Sequence, residues 1–425
     1  MPEHDSGLGT RASRLPEYSG GSLPNLTATI SRLLGAAGPD ETTELTAGLV
    51  PAELLAGVNI VVVLMVDGLG ISQLRRLIAA GEVPTLAGLV QDAEGGKRNV
   101  SFATLTSVFP SATMSALASF HTALAPASHG VTGWTAYLEE FGQVVEIARL
   151  GPAAGRGSFT EPELGGVDPI AFFGFETIYR KLELAGVPSV AVGPGELDGS
   201  AFSVAALDGA EYWPYVAPSS TFVLIERALR QWAKGQRFLV YAYWSVLDSL
   251  THRAGPEGEE HASEAAVLDF LLGRWLARAA CDGDLLFLLT ADHGHLATDP
   301  ALTLRLDQHP DLLKELIAPP SGERRLGYLH VRPGRTAAVQ DYVRGTFPGQ
   351  AALMPSAEAF GRGLFGPGRP SPLAVRRAGD FLLFPLGNHQ LVYPHDPNRP
   401  VTPFYGNHGA LSPEEMEVPL LALRL

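Results

Sequence analysis

The sequence predicts an α/β fold, a three-layer sandwich in which helices cover both faces of a mostly parallel, doubly wound sheet. Continuous apolar runs such as NIVVVLMV (59–66) and DLLFLLT (284–290) are typical of central parallel strands, which are buried on both faces. Segments with the 3.6-residue period of helices alternate with these runs. The chain has 425 residues, which is enough for one large domain with an insertion.

The core elements follow in chain order. Residues 1–24, rich in glycine, serine and proline, are expected to form a flexible N-terminal lead-in, and the core is expected to comprise 25–300 and 400–425. The predicted core elements are a helix at 25–38, a strand at 59–66, helices at 72–82 and 175–186, a strand at 188–194, a helix at 220–235, a strand at 237–249, a helix at 259–280 and a strand at 284–295.

Residues 301–399 differ from the core in composition, because proline, glycine and arginine become frequent. The segment RLGYLHVRPGRTAAVQDYVRGTF (325–347) predicts a strand, a turn and a helix, and DFLLFPLGNHQLVYP (380–394) predicts a pair of strands. We therefore expect an inserted α+β cap subdomain that covers the functional site and carries much of the substrate choice.

The charge of the chain restricts its partners. Acidic residues outnumber basic ones 45 to 31, which gives a formal net charge of −14. A surface this negative repels nucleic acid and anionic lipid, so we expect neither a nucleic acid polymer nor a membrane as partner. A small anionic substrate remains compatible with this charge if metal ions line the site.

Cysteine usage indicates the compartment. Cys281 is the single cysteine, so the chain forms no internal disulfide, as is typical of a reducing compartment. The first 21 residues are polar and contain no apolar segment of signal-peptide length. The sequence therefore predicts a cytoplasmic protein.

Three acids follow predicted strands. Asp67, Asp248 and Asp292 each lie at or near the end of an apolar run. Because ligands of open α/β sheets bind outside the carboxyl ends of the strands, we expect these acids to meet at one edge. Taken singly, Asp67 in Asp-Gly is also typical of an ordinary turn.

Histidines accompany these acids at spacings that suit metal ligands. His293 directly follows Asp292, His252 lies one helical turn after Asp248, and His408 lies between two glycines in GNHGA. Each of these patterns is more common as a helix cap, a surface pair or a solvated loop. Their joint occurrence favours metal binding, because several coincidences would otherwise be required.

The segment FPSATMSA (109–116) carries three hydroxyl groups, on Ser111, Thr113 and Ser115. A hydroxyl here caps a following helix or attacks a substrate, and the eight residues alone leave this choice open.

In combination, these motifs resemble the alkaline phosphatase superfamily, and within it the type I phosphodiesterase/nucleotide pyrophosphatase branch. The resemblance spans about 59–298 and 400–425 and implies an alkaline phosphatase-like sandwich. The matching motifs are VDGLG (66–70), FPSAT (109–113), ALAPASHGVTG (123–133), DSLTHRAGP (248–256), TADHGH (290–295) and GNHGA (406–410).

The resemblance implies a nucleophile and two metal sites. The family nucleophile lies three residues after the proline of its turn and ten before a small residue, and both spacings lead to Thr113. His129 and His295 receive no ligand role. One implied site comprises Asp67, Asp292, His293 and Thr113, and the other comprises Asp248, His252 and His408. Two divalent metal ions are implied, with zinc favoured and manganese or iron as alternatives.

The function implied by the resemblance is hydrolysis of phosphodiester or pyrophosphate bonds through a covalent phosphothreonine-type intermediate on Thr113. The expected partner is a small-molecule phosphate ester or nucleotide. Alternatives on the same metal core are a phosphonate hydrolase and a phosphomonoesterase, and a third is a metal-binding protein whose catalysis has lapsed.

The sequence departs from the family pattern near the nucleophile. Ala116 stands where many relatives have an asparagine, and Ala123 stands where glycine is usual. Arg253 is the one arginine within the motifs, and this scarcity of cations favours diesters over monoesters. Candidates for an aromatic slot that holds a nucleotide base are Trp134, Phe172, Phe173, Tyr212, Trp213 and Tyr215.

Overall fold

The computed structural model describes residues 13–37, 42–231, 235–279 and 284–425. Its strands, in chain order, are β1 (Ile60–Val66), β2 (Val100–Thr106), β3 (Thr135–Leu138), β4 (Gln143–Glu146), β5 (Gly151–Pro152), β6 (Ser189–Pro194), β7 (Glu211–Tyr215), β8 (Phe238–Trp244), β9 (Leu285–Thr290), β10 (Leu296–Ala297), β11 (Thr303–Arg305), β12 (Ser321–Glu323), β13 (Leu326–Leu329), β14 (Ala351–Pro355), β15 (Phe381–Pro385), β16 (Gln390–Val392), β17 (Gly406–Asn407) and β18 (Glu417–Arg424).

Helices connect these strands throughout the described residues. They are α1 (Leu23–Leu33), α2 (Ala52–Leu55), α3 (Ile71–Ala80), α4 (Pro84–Glu94), α5 (Thr113–Thr122), α6 (Pro126–His129), α7 (Pro169–Phe173), α8 (Ile178–Leu184), α9 (Ala201–Ala206), α10 (Thr221–Gln231), α11 (Val246–Ala254), α12 (Glu259–Leu276), α13 (Pro310–Leu313), α14 (Thr336–Thr346), α15 (Ser356–Gly361), α16 (Pro372–Ala378) and α17 (Pro413–Met416). None of these helices has the length and apolar character needed to cross a membrane.

The central sheet has the strand order β2-β18-β9-β1-β8-β6-β7. The pairings of β9, β1, β8, β6 and β7 are parallel, whereas β18 is antiparallel to both of its neighbours. Every residue of β8 and β9 is buried, as expected for central strands with a covering layer on each face. The predicted α/β fold with a mostly parallel sheet is therefore confirmed.

A second sheet has the order β14-β15-β13-β12-β3-β4-β5, and all of its pairings are antiparallel. Its strands come from two distant parts of the chain, 135–152 and 321–385. The second sheet is thus shared between the predicted core and the predicted insertion at 301–399. The two strands predicted at 380–394 exist but do not pair with each other, since β15 joins the second sheet and β16 pairs with β11.

The described part of the predicted lead-in packs against the rest of the protein. The Gly21 carbonyl accepts a hydrogen bond from Thr106 N of β2 at 2.8 Å. The Tyr18 hydroxyl accepts a hydrogen bond from Phe109 N and donates one to Leu364 O, at 3.1 and 3.0 Å. Residues 13–24 therefore differ from the flexible segment predicted for 1–24. Cys281 lies outside the described residues.

The turn that carries the predicted nucleophile lies between the two sheets. Phe109 is fully buried and contacts Phe365 and Phe384, with ring centroids 5.0 and 6.0 Å apart. α5 then begins at Thr113 and packs its buried residues in the core of the central sheet. Residues 107–113 are therefore anchored on both sides, which fixes the start of α5.

Candidate active site

The first group of predicted ligands is Asp67, Asp292 and His293. Asp67 directly follows β1, and Asp292 and His293 follow β9, the parallel neighbour of β1. The ends of adjacent parallel strands meet at one edge, so these side chains converge. His293 Nε2 lies 3.4 Å from Asp67 Oδ1 and 3.5 Å from Asp292 Oδ2.

The second group surrounds Asp248, which lies in the first turn of α11 rather than at the end of a strand. The Nε2 atoms of His295, His252 and His408 lie 3.0, 3.3 and 3.6 Å from Asp248 Oδ1. The ligand atoms within each group lie within 4.8 Å of one another. The structure thus brings together all seven residues of the predicted site, although their roles stay predictions.

His295 belongs to this second group geometrically, although sequence reasoning gave it no ligand role. The second histidine of DHGH was the available signal. Gly68 makes room for the imidazole, because φ there is +78° and an added Cβ would collide with His295 Cε1.

The hydrogen bonds of the four histidines in these groups leave one ring nitrogen of each, Nε2, directed at the centre of its group. Nδ1 of the four histidines faces a backbone carbonyl, on Gly406 for His252, Gly294 for His293, Gly68 for His295 and Ser111 for His408. A ring nitrogen that bonds a carbonyl carries the proton, so Nε2 presents its lone pair to the centre.

The carboxylates of the first group resemble the histidines, because one oxygen of each is hydrogen-bonded and the other is left for a ligand. Asp292 Oδ1 accepts hydrogen bonds from Gly68 N and His293 N at 3.0 Å each, and Asp67 Oδ2 accepts one from the Tyr243 hydroxyl. Asp292 Oδ2 and Asp67 Oδ1 are buried without a hydrogen-bond partner among the described residues. Lone pairs that face one another in a buried site repel, and a divalent cation in each group removes this repulsion. These residues therefore fit two metal ions.

The pKa shifts of the acids and histidines in the two groups agree with this fit. Burial raises the pKa of Asp67 well above its usual range, and the charges of Asp292 and Asp248 raise it further. Burial alone would raise the pKa of Asp248, but the positive charge that His252, His295 and His408 carry when protonated holds it well below its usual range. Burial lowers the pKa of His408, and the neighbouring His293 adds to this effect. A lowered pKa keeps the His408 imidazole neutral, and a neutral imidazole suits metal coordination.

Thr113 is the one hydroxyl residue of 109–116 whose side chain is accessible, since Ser111 and Ser115 are fully buried. Thr113 Oγ1 lies 3.1 Å from His293 Nε2, at the first residue of α5. Ser111 donates a hydrogen bond to Ala410 O at 2.7 Å and so supports the loop of His408. Burial therefore selects Thr113 independently of the family spacing.

The loop of His408 is fixed by a buried ion pair. Glu415 Oε1 accepts hydrogen bonds from Ala410 N at 3.0 Å and from Arg325 Nε at 3.4 Å. Arg325 also donates to His389 O at 2.6 Å and to Gly387 O at 3.1 Å. The second sheet thus supports a predicted metal ligand through Arg325.

Two cavities meet at Thr113, Trp134 and Asp248. The insertion-side cavity, of about 530 Å³, is lined mainly by residues 306–408, among them Glu323, Arg324 and Phe404. The aromatic cavity, of about 200 Å³, is lined by Asp67 and by Met114, His121, Phe202, Tyr212, Tyr241 and Tyr243.

Most of the other residues singled out in the sequence lie away from this junction. His129 is buried and bonded to Ser119 Oγ and Val131 N. Ala116 is fully buried, and Arg253 is exposed. Of the aromatic candidates, Trp134 lines both cavities and Tyr212 lines the aromatic cavity, whereas Phe172, Phe173, Trp213 and Tyr215 line neither.

Several solved structures share this fold. Murine ectonucleotide pyrophosphatase/phosphodiesterase 5 matches with a TM-score of 0.62 and 18% identity over 85% of this chain and 87% of its own. An inactive variant of that protein in complex with AMP matches at 0.61 and 17%, with the same coverage. Phosphonoacetate hydrolase from Sinorhizobium meliloti 1021 in complex with phosphonoformate matches at 0.62 and 18%, over 87% of this chain and 91% of its own.

Sequence comparison with curated proteins gives no match. The model of the type I phosphodiesterase/nucleotide pyrophosphatase family, in contrast, matches residues 61–362, which is more than half of the chain. The predicted family resemblance is confirmed: the chain belongs to the type I phosphodiesterase/nucleotide pyrophosphatase family and is a hydrolase of phosphoric ester or anhydride bonds.

Proposed function

We propose that this protein hydrolyses phosphodiester or pyrophosphate bonds of small molecules, including nucleotides, with Thr113 as nucleophile at a two-metal site. The position of Thr113 carries the proposal. Its hydroxyl is accessible, lies 3.1 Å from His293 Nε2 and borders both cavities. No other hydroxyl of residues 109–116 meets these conditions.

The chemistry follows from the donor set. Ions held by Asp67, Asp292 and His293, and by Asp248, His252 and His408, would lower the pKa of the Thr113 hydroxyl and neutralise charge on the leaving oxygen. Thr113 Oγ1 loses its proton to water and attacks phosphorus, while the bond to the leaving oxygen breaks. Water then attacks phosphorus, the bond to Thr113 Oγ1 breaks, and the hydroxyl is restored.

The start of α5 supports the same step. Thr113 is the first residue of this ten-residue helix, so the N–H groups of the first turn have no partner within the helix. Free N–H groups and the helix dipole both favour negative charge at this end. They therefore stabilise the phosphoryl oxygens as charge develops.

The two cavities favour a diester over a monoester. A phosphodiester carries two substituents on phosphorus, and a cavity opens toward each from Thr113. The aromatic cavity offers Tyr212 and Tyr243 to a planar base, and AMP is the ligand of the inactive murine variant. A nucleotide is therefore the proposed substrate class.

Zinc is the proposed metal at both sites, because imidazole and carboxylate ligands suit it. Manganese and iron are the alternatives. Elemental analysis of the purified protein should find about two zinc ions per chain, and removal by a chelator should abolish hydrolysis, which added zinc should restore. A single ion, or full activity after chelation, would contradict the two-metal proposal.

The substrate class is tested by comparing bis(p-nitrophenyl) phosphate, p-nitrophenyl phosphate and a nucleotide p-nitrophenyl ester. We expect wild-type protein to prefer the diester or nucleotide ester, and Thr113→Ala to reduce kcat at least about a thousandfold. Ser115→Ala is the control, since Ser115 is buried beside Thr113 without a hydrogen-bond partner among the described residues. Preference for the monoester would identify a phosphatase, and no turnover with both metals bound would indicate a lapsed enzyme.

Phosphonate hydrolysis is the second candidate function. The phosphonoacetate hydrolase matches this chain as well as the murine protein does. Release of inorganic phosphate from phosphonoacetate, faster than release of p-nitrophenol from any ester above, would favour this alternative.

We further propose a cytoplasmic location and no nucleic acid or membrane partner, on the basis of the single cysteine and the net charge of −14. Co-sedimentation with anionic vesicles or with nucleic acid at physiological salt would contradict this proposal.

A further inference from the structure

The insertion-side cavity contains a cation, Arg324, which the metal site does not use. Arg324 lies between β12 and β13 of the second sheet, and its half-buried side chain lines the cavity together with Thr113 and Asp248. Burial lowers the pKa of Arg324 to about 10, so the guanidinium remains charged at neutral pH.

The acids that line this cavity, apart from Asp248 of the metal site, have partners of their own. Glu146 pairs with Arg149 at 3.0 Å, and Asp396 pairs with Arg399 at 3.5 Å. Glu323 accepts a hydrogen bond from Trp134 N. No carboxylate among the described residues forms an ion pair with Arg324. A half-buried cation without a counter-ion costs free energy, which an anionic ligand would offset.

The orientation of Arg324 is fixed, but its donors are not exhausted. The guanidinium carbon lies 3.7 Å from the centre of the Phe404 ring, and Nη1 and Nη2 donate to Gln390 Oε1 and Thr402 O at 3.1 and 2.9 Å. A guanidinium has five N–H donors, so several remain for a ligand. Stacking and hydrogen bonding together hold the plane of the group, which lowers the entropy lost on binding.

Phe404 also relates Arg324 to the metal site. Its ring stacks on the imidazole of His252, with centroids 4.4 Å apart and an angle of 22° between the planes. Arg324 is therefore one aromatic ring away from a predicted metal ligand. A phosphoryl group bound at Thr113 would therefore leave Arg324 to its substituent in the insertion-side cavity.

We infer that Arg324 binds an anionic group, a carboxylate or a phosphate, on the substituent that occupies the insertion-side cavity. The inference rests on the proposed function, because it assumes that phosphorus binds at Thr113. It narrows the substrate class to phosphate esters or phosphonates with a second negative charge a few bonds from phosphorus. The net charge of −14 gives such a substrate no general attraction, so a local cation matters.

The test measures binding to metal-loaded protein by calorimetry and so does not depend on turnover. The probes are methylphosphonate and carboxyalkylphosphonates with two or three methylene groups, because the compound with one is phosphonoacetate, the substrate of the second candidate function. We expect at least one carboxylate to bind wild-type protein about tenfold or more tightly than methylphosphonate does, the effect of a charge-assisted bidentate hydrogen bond. Bisphosphonates of the same chain lengths distinguish phosphate recognition from carboxylate recognition.

Variants assign the effect to the residue. In Arg324→Gln, the Kd of the preferred charged probe should lie within about threefold of the methylphosphonate Kd, and the methylphosphonate Kd should not change. Arg324→Lys should retain part of the wild-type difference between the two Kd values. Arg344→Gln, which removes an exposed arginine paired with Asp341 outside both cavities, should retain the full preference. Metal content and thermal melting confirm that each variant is folded.

Three results would overturn the inference: no carboxylate or bisphosphonate preference in wild-type protein, a preference that survives Arg324→Gln, or an equal loss of methylphosphonate binding in Arg324→Gln. The last result would place Arg324 on the phosphoryl oxygens. A preference that depends on Arg324 would support the inference even if the protein hydrolysed no ester. Ester hydrolysis without the preference would overturn the inference and leave the proposed function intact.

Discussion

His295 shows how a single side chain can complete a site that spans distant parts of the chain. Its two ring nitrogens face Gly68 O at 3.2 Å and Asp248 Oδ1 at 3.0 Å. The sequence neighbours of His295 explain only that it follows β9. Its contact with Asp248, 47 residues away, depends on the adjacency of β8 and β1 in the sheet and on the turn of α11.

Replacement of His295 should weaken metal binding at the Asp248 group. His295→Gln removes an imidazole whose lone pair faces Asp248, and losses of this kind typically cost 10- to 100-fold in metal affinity. Chelator competition measures this affinity directly. His309→Gln serves as control, because His309 bonds Tyr342 outside both cavities. Unchanged affinity in His295→Gln would show that the imidazole only fills space.

The residues of the site differed in how well the sequence could predict them. Thr113 followed from family spacing, and its accessibility gives an independent physical reason. The adjacent pair Asp292 and His293 lies directly after a strand, but local order alone also fits a turn cap and an exposed histidine, so their role as ligands followed from the family resemblance. Arg324 could not be assigned, because its proposed role depends on its contact with Phe404 and on having no paired carboxylate among the described residues, and neither is a property of local sequence.

At the scale of elements, the second sheet and the last helix act on the site through one ion pair. Arg325 directly precedes β13, and Glu415 lies in α17. Their side chains are 5% and 0% exposed, and Glu415 also holds Ala410, two residues after His408. The contribution of the insertion is therefore to fix a predicted metal ligand as well as to line a cavity.

Removal of Arg325 should destabilise the protein strongly. Arg325→Met leaves the Glu415 carboxylate buried and unpaired, which typically costs about 3–5 kcal/mol in the free energy of unfolding. Arg344→Met, which breaks an exposed pair, should cost no more than about 1 kcal/mol. Chemical denaturation of both variants provides the comparison. Similar losses in the two would argue against a special role for the buried pair.

The strands β1, β6, β8 and β9 of the central sheet were predictable because they are almost entirely apolar, whereas β2, β7 and β18 of the same sheet were not predicted. The strands β3, β4 and β5 were not, since they have two to four residues each and lack such runs. Their place in the second sheet is set by pairing of β3 with β12, almost two hundred residues away. Local patterns cannot encode such a partner.

At the scale of the whole molecule, acid stability depends on histidines buried without charge. His121 and His129 are buried away from the metal groups, and burial lowers the pKa of each to about 3. In the unfolded chain their pKa returns to about 6.5. The unfolded state therefore binds protons first as the pH falls, so stability is fully present above about pH 6.5 and declines towards about pH 3.

The slope of this decline is measurable for His129. Each such histidine should lower the free energy of unfolding by about 1.4 kcal/mol per pH unit between these limits. His129→Gln should remove one such contribution, so the difference in stability between wild type and variant should shrink steadily from pH 6.5 to pH 4.5. Comparison of the two proteins cancels shared effects, including metal loss. A difference independent of pH would contradict a neutral His129.

The antiparallel strand β18 has a consequence for how the protein is made. β18, at 417–424, lies between β2 and β9, so the central sheet is divided until these residues are available. A growing chain would have reached more than four hundred residues while β2 lacked its partner strand β18 and β9 lacked one of its two neighbours. Such edges favour aggregation during synthesis, and loop closure over so long a separation is slow. Assembly of this protein should therefore depend on chaperones until β18 has left the ribosome.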